Sequence, residues 1–471
     1  MRIERSSRQY IRNQERTQIE EHQIKATRFI LGDDNLLPPK IAAMLDDVKR
    51  MNEAINIFFI IILVALVLEF VLELAANLLN LKALKLELPS ALKEIYKAAD
   101  YRKSQEYLRA KTRLGLVSST LALFLLLAFW LSGGFNYLDQ LVTAWGFIPL
   151  VNGVIYIGML LLAYGLLTLP FSIYDTFVIE ERFGFNRTTR NTFFFDHLKG
   201  LALAFLLGGP LLAAILALFQ YAGSYAWLYC WAGVSAYTLF MQYAAPTWIM
   251  PLFNKFMPME QGELKEAILA YTRSVDFAIR DVFIMDASRR SSKSNAFFTG
   301  FGRSKRIALF DTLIAKHSVP ELVAILAHEV GHYKQKHILQ GTVINILHTG
   351  LMLFLLSLFL NSPGLYQAFH MTHQSIYAGL LFFGLLYTPL ELMFSIVLRL
   401  ISRRNEYEAD RFAAKTIADP RSLTDALKKL SAANLSNLTP HPFYTFLNYS
   451  HPPLLQRVQA IQKLKPKSDT G

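Results

Sequence analysis

The chain has one cysteine, Cys230, in 471 residues, which excludes an intramolecular disulfide and any metal site built from several thiolates. Cys230 lies inside an apolar run and reads as a packing residue. Charge is scarce as well: Asp, Glu, Lys and Arg make up 18% of the sequence against 53% hydrophobic residues, and Phe alone contributes 35. Soluble domains carry about a quarter charged residues, so composition argues against two or three ordinary soluble domains and for one polytopic membrane domain with an insert. Residues 1–50 lack an early apolar stretch. Arg2, Glu4, Arg5, Arg8, Arg12, Glu15 and Arg16 interleave there, and nothing reads as a cleavable signal peptide. Internal repeats and low-complexity tracts are missing too.

Seven apolar runs are long enough to cross a bilayer, which takes about 20 helical residues: 57–79, 115–135, 151–172, 200–219, 223–245, 342–361 and 376–399. The loops at 136–150, 220–222 and 362–375 contain no Lys or Arg, whereas those at 80–114, 173–199 and 246–341 and the segment after 399 are rich in them. This alternation places the second set on the cytosolic side and the N-terminus opposite. It also accounts for the net charge of +12 as membrane topology, so no nucleic-acid partner is expected. Glu69 and Glu73 sit four residues apart inside the first run. Intramembrane acids are costly and face a wet interior or a partner.

The cytosolic segment 246–341 carries soluble structure. Glu263 to Val275 reads as a helix, and Asp281–Asp286 and Arg306–Phe310 as short strands. A further helix starts near 319, with Ser318 as N-cap, Glu321 as its capping-box partner and Pro320 in the first turn. On it lies Ala327-His328-Glu329-Val330-Gly331-His332. Four helical residues turn about 400°, so His328 and His332 project from one face about 6 Å apart along the axis. Two imidazoles in that arrangement can share one zinc ion, with Glu329 beside them to take a proton from water. His337, five residues further on, reads as a surface or packing histidine.

A catalytic zinc needs a third protein ligand and an open fourth position. Directly after the seventh run comes Ser402-Arg403-Arg404-Asn405-Glu406-Tyr407-Glu408-Ala409-Asp410. Glu406 and Asp410 share a helical face while Glu408 points away. One of the pair can be the ligand and the other an acceptor for a histidine N–H, and spacing alone permits either assignment. A non-enzymatic transporter or scaffold with structural zinc would need a closed four-ligand site, in which Glu329 has no purpose.

These motifs between membrane runs resemble the Ste24-type CAAX prenyl proteases, integral membrane zinc metallopeptidases of the M48 family. Further matching segments are Tyr174–Glu181 with Phe183-Gly184-Phe185-Asn186, Pro251–Phe256, Ser291–Ala296 and Asn448–Leu454 with its His-Pro-Pro. The resemblance runs from the first membrane run to about residue 464 and implies one zinc per chain. It implies Glu406 as third ligand, Asp410 as the acid near the zinc histidines, and a helical barrel around a large chamber. Asn295 lies in a segment similar to the substrate-binding strand of other H-E-x-x-H proteases, where an edge strand pairs with an extended peptide and the Asn side chain is expected to hold a peptide group or to help stabilise the tetrahedral intermediate. His451, in the His-Pro-Pro motif, is expected to donate to the oxyanion.

The expectation is thus a mainly α, polytopic membrane protein with about seven transmembrane helices and a small cytosol-facing, zincin-like α+β catalytic domain. Its parts are a polar tail at 1–50, membrane helices at 51–245, a catalytic segment at 246–341, two more membrane helices at 342–399 and a C-terminal segment at 400–471 with helices around 403–418, 421–434 and 453–464. The expected substrate is a peptide or protein in contact with the lipid bilayer, either a prenylated CAAX C-terminus or, as in the HtpX-like proteases, damaged membrane protein. The short connection Asp311–Glu321 and the lack of a C-terminal retrieval signal lean toward a bacterial inner membrane, with the endoplasmic reticulum as the eukaryotic counterpart.

Overall fold

The computed structural model describes residues 56–84, 88, 97–279, 281–299 and 306–464; the tail expected at 1–50 lies outside them. Among the described residues, six helices are long and apolar enough to cross a membrane: Ile57–Ala83 (α1), Ala98–Leu131 (α2), Pro149–Glu180 (α3), Arg190–Tyr221 (α4), His337–Phe359 and Ile376–Thr416. The fifth expected run forms a helix of 19 residues, Ala226–Ala244 (α5), whose Trp, Tyr, Ser and Gln residues lower its hydropathy and keep it out of that set.

Several helices extend beyond their apolar runs. α2 begins 17 residues before the expected 115, and α4 begins 10 before the expected 200. The Lys- and Arg-rich connections are therefore partly helical stalks. Within their most apolar windows the six helices bury only 6–17% of their residues. A helix in a solid bundle buries a stripe about 100° wide, so most of the apolar surface of these helices is not packed against neighbouring helices.

The 362–375 connection is held to the membrane helices by aromatic packing. Phe369 and Phe382 stack with centroids 3.8 Å apart, Trp130 stacks on Phe369 at 4.7 Å, and Trp130 Nε1 donates to the Ala368 carbonyl at 2.7 Å. These contacts fix the 362–375 connection, which has no Lys or Arg.

The catalytic segment contributes Phe256–Pro258 (β1), Glu263–Ser274 (α6), Asp281–Met285 (β2), Ala296–Thr299 (β3), Arg306–Phe310 (β4) and Val319–Lys334 (α7). The sheet order is β1-β2-β4-β3, antiparallel at both ends and parallel between β2 and β4. Among the described residues β3 is thus an edge strand, and it packs against α7. Next come His337–Phe359 (α8), Ile376–Thr416 (α9), Arg421–Ala433 (α10), Pro442–Asn448 (α11) and Leu454–Gln462 (α12). The separate helix expected at 403–418 does not occur. The seventh run and the acidic motif form one helix of 41 residues, because nothing between 399 and 416 breaks helical propagation.

α7 is the centre of the soluble core. Leu322, Ala324, Leu326, Ala327 and Val330 are buried with Ile307 and Leu309 of β4, Ala413 of α9 and Ile461 of α12.

Candidate metal centre

α7 starts as its sequence requires. Ser318 and Glu321 form a reciprocal capping box with Pro320 in the first turn, and Glu321 also pairs with Lys429 at 2.7 Å. The rigid helix carries His328 and His332 on one face, their Nε2 atoms 3.1 Å apart. α9 crosses here. A Cβ built on Gly331 would lie 3.0 Å from the Ala409 carbonyl oxygen and 3.1 Å from its Cα, so the crossing needs glycine. That closeness brings Glu406 between the histidines, with Oε2 at 3.4 Å from His328 Nε2 and Oε1 at 3.3 Å from His332 Nε2.

Two nitrogens and a carboxylate at such spacing can hold a metal ion. Ligands about 2.0–2.1 Å from a tetrahedral zinc stand about 3.3 Å from one another, which the separations above match. Ligand atoms of all three residues lie within 4.8 Å of one another. Glu406 Oε2 is buried without a hydrogen-bond partner, an orphaned acceptor that a cation would satisfy. Burial opposes charge on His328, yet hydrogen bonds to Asp410 and Glu406 push its pKa up to about 9. The cluster therefore favours positive charge at this point.

The groups behind these three residues are fixed as well. Asp410 Oδ1 stands 2.9 Å from His328 Nδ1 and accepts its proton, so a metal cation that displaced the imidazolium proton would meet Nε2 turned to the cluster. Asp410 in turn accepts two bonds from Arg457 of α12, from Nε at 2.8 Å and Nη2 at 2.7 Å. Arg457 Nη1 also lies 3.2 Å from Glu406 Oε2, a charge contact without hydrogen-bond alignment. Sequence reasoning missed Arg457; its only signal is a lone cation in the short helix after His-Pro-Pro.

Glu329 is partly buried one residue past His328, and burial pushes its carboxyl pKa up, toward the range useful for proton exchange. His451 Nε2 lies 3.2 Å from Glu406 Oε1 with its side chain 64% exposed, and Ser450 Oγ is 2.9 Å from its Nδ1. Asn295 is exposed immediately before β3, with its Oδ1 accepting from the Ala296 N–H at 2.9 Å.

The segment leading to Asn295 is pinned to the membrane helices. Lys293 Nζ lies 2.8 Å from Glu180 Oε2 of α3 and donates to Tyr107 of α2 at 2.8 Å. Asn434 exchanges two hydrogen bonds with the Ser294 backbone. The intramembrane acid Glu73 finds a partner too: its Oε2 accepts from Asn448 at 3.3 Å, three residues before His451. Of the two readings of His337, surface or packing, burial excludes the surface; it packs directly behind a candidate ligand, its Nδ1 3.1 Å from His332 Nδ1.

Two family models cover most of the chain. Residues 77–255 match the CAAX prenyl protease N-terminal model of five membrane helices, and residues 258–465 match peptidase family M48. The CAAX prenyl protease 1 homolog of Oryza sativa is 40% identical over 306 residues, which is 64% of this chain and 71% of that protein. CAAX prenyl protease 1 of Saccharomyces cerevisiae is 34% identical over 414 residues, 81% of this chain and 90% of that one. The crystal structure of S. mikatae Ste24p superposes with a TM-score of 0.82 at 33% identity, covering 86% of this chain and 99% of that one. With membrane helices, catalytic segment and C-terminal motifs all matched in order, the chain belongs to peptidase family M48, as an integral membrane metallopeptidase of the CAAX prenyl protease 1 type.

Proposed function

We propose that the protein is a zinc metalloendopeptidase in which His328, His332 and Glu406 hold one zinc ion per chain and Glu329 is the general base. The observation that carries this is the convergence of two α7 imidazoles and one α9 carboxylate at ligand spacing, with Glu329 on the same helix. Zinc, when bound, supplies a Lewis acid and brings the pKa of a water toward neutrality. Glu329 takes the proton from the attacking water and passes it to the leaving amine. Asp410 holds His328 in the ligating tautomer, and Arg457 neutralises Asp410 so that the buried carboxylate stays ionised. His451 reaches the same space and donates to the oxyanion. Asn295 and the open edge of β3 hold the peptide extended, one residue pair at a time.

The Lys- and Arg-rich loops flanking this segment put the centre on the cytosolic side. The substrate class is a C-terminal CAAX peptide carrying an isoprenoid thioether. Support comes from the relatives named for CAAX processing and from the large share of apolar helix surface left unpacked, which can meet a lipid chain. The test is cleavage by detergent-purified protein of a fluorogenic CAAX peptide, farnesylated and unmodified. Preferential, chelator-sensitive cleavage of the farnesylated peptide is expected. Equal cleavage of both, or cleavage of unfolded membrane protein alone, would instead support a quality-control protease.

A further inference from the structure

His337 opens α8, and the chain reaches it through Lys336, whose φ of 60° is left-handed. A residue with a Cβ costs about 1–2 kcal/mol there. The outcome of this turn is that His337 folds back beneath His332, its side chain 6% exposed and the two rings edge to face with centroids 5.1 Å apart.

The protons of this contact are determined by chemistry. His332 turns Nε2 toward His328 and Glu406. To offer a lone pair there while neutral, it must carry its proton on Nδ1. That Nδ1 is 3.1 Å from His337 Nδ1, which must therefore be an acceptor. His337 then carries its own proton on Nε2, and Nε2 stands 3.2 Å from Glu408 Oε2. The other oxygen of Glu408 accepts from Arg404 Nε at 2.9 Å. Donation thus runs from His332 to His337 to Glu408, with Arg404 fixing the last acceptor. Every proton in the chain has one place to go.

We propose that His337 is a positioning residue for the metal centre, locking His332 in the tautomer that presents Nε2, with Glu408 orienting His337. The two candidate ligand histidines are thereby held differently: His328 directly by the buried carboxylate of Asp410, His332 through a second imidazole. Glu408, which points away from the ligands, acts at one remove.

This inference rests on the reading of His332 as a ligand, and the experiment separates the two. Zinc affinity is measured on the full-length detergent-purified protein by competition with a chromophoric chelator, for His332→Ala, His337→Leu, His337→Asn and Glu408→Leu. Asn places a carbonyl oxygen where the Nδ1 acceptor stood; Leu fills space without accepting. We expect His332→Ala to lose zinc, and His337→Leu to bind it about 10- to 100-fold more weakly. His337→Asn should recover most of that loss. Glu408→Leu, at a side chain 33% exposed, should weaken zinc in the same direction and keeps the test open if His337→Leu fails to fold. Loss of zinc in His332→Ala with wild-type affinity in both His337→Leu and Glu408→Leu would overturn the positioning role alone. Equal affinity in His337→Asn and His337→Leu would reduce His337 to packing and overturn it too. Wild-type affinity in His332→Ala would overturn the ligand reading and this proposal together.

Discussion

A methyl group on Gly331 would stand 3.0 Å from the carbonyl oxygen of Ala409, so the separation of α7 and α9 is set by a missing side chain. The first prediction follows from the conflict this creates. Gly331→Ala improves helix propensity by up to about 1 kcal/mol. It also forces α9 back by a few tenths of an ångström and draws Glu406 off the two histidines. Site geometry tolerates little displacement, so we expect kcat/KM to fall about tenfold and zinc affinity to drop. An undiminished kcat/KM would mean that the crossing does not set the ligand geometry.

Arg457 is the counter-charge for two buried carboxylates. Replacing it with Met leaves Asp410 without its two-pronged partner and takes one cation from Glu406, and removing one partner of a buried pair costs about 3–5 kcal/mol. Thermal unfolding of the purified protein should show a large drop for Arg457→Met. A partial recovery is expected for Arg457→Met combined with Asp410→Asn, measured as a double-mutant cycle.

His451 and Asn295 should separate kinetically. His451→Ala removes a donor used in the transition state, and kcat should fall about 10²- to 10³-fold while zinc content is unchanged. Asn295→Ala removes a contact to the peptide in ground and transition states alike, so KM should rise with kcat nearly preserved. Steady-state kinetics on one fluorogenic peptide checks both; the reverse pattern would exchange their roles.

Glu321 carries a pH signature. Burial disfavours its carboxylate, but the bonds from Lys429 and the Ser318 backbone hold its pKa below the ordinary 4.5. A carboxyl depressed in the folded state stabilises fully above its unfolded pKa and loses that contribution as pH falls through the folded one. Glu321→Gln should therefore lower the melting temperature at pH 7, by an amount matching about 1 kcal/mol. The difference from wild type should close as pH is taken below the carboxylate range.

What was legible in the sequence was local. H-E-V-G-H and the Glu406–Asp410 pair could be read because a helix places residues four apart on one face, and the capping box because it spans three residues. Loop charge predicts the membrane topology by simple counting. Contacts between distant segments were not legible. Arg457 is 47 residues from Asp410, and nothing in its own helix marks it. His337 looked peripheral because its role depends on the left-handed Lys336, a conformation that lysine does not announce. Gly331 was silent for the opposite reason: its importance lies in the space that Ala409 occupies. The acidic motif read as a separate helix because it is polar, whereas it continues a membrane helix whose hydrogen bonds need no change of register.

The most direct test of the metal centre is zinc content and peptide cleavage measured together on wild type, Glu329→Gln and Glu406→Ala. We predict about one zinc per chain in wild type and in Glu329→Gln, with cleavage in the first and almost none in the second, and neither zinc nor cleavage in Glu406→Ala. Wild-type turnover in Glu329→Gln, or full zinc occupancy in Glu406→Ala, would contradict the assignment of base and ligand on which the account rests.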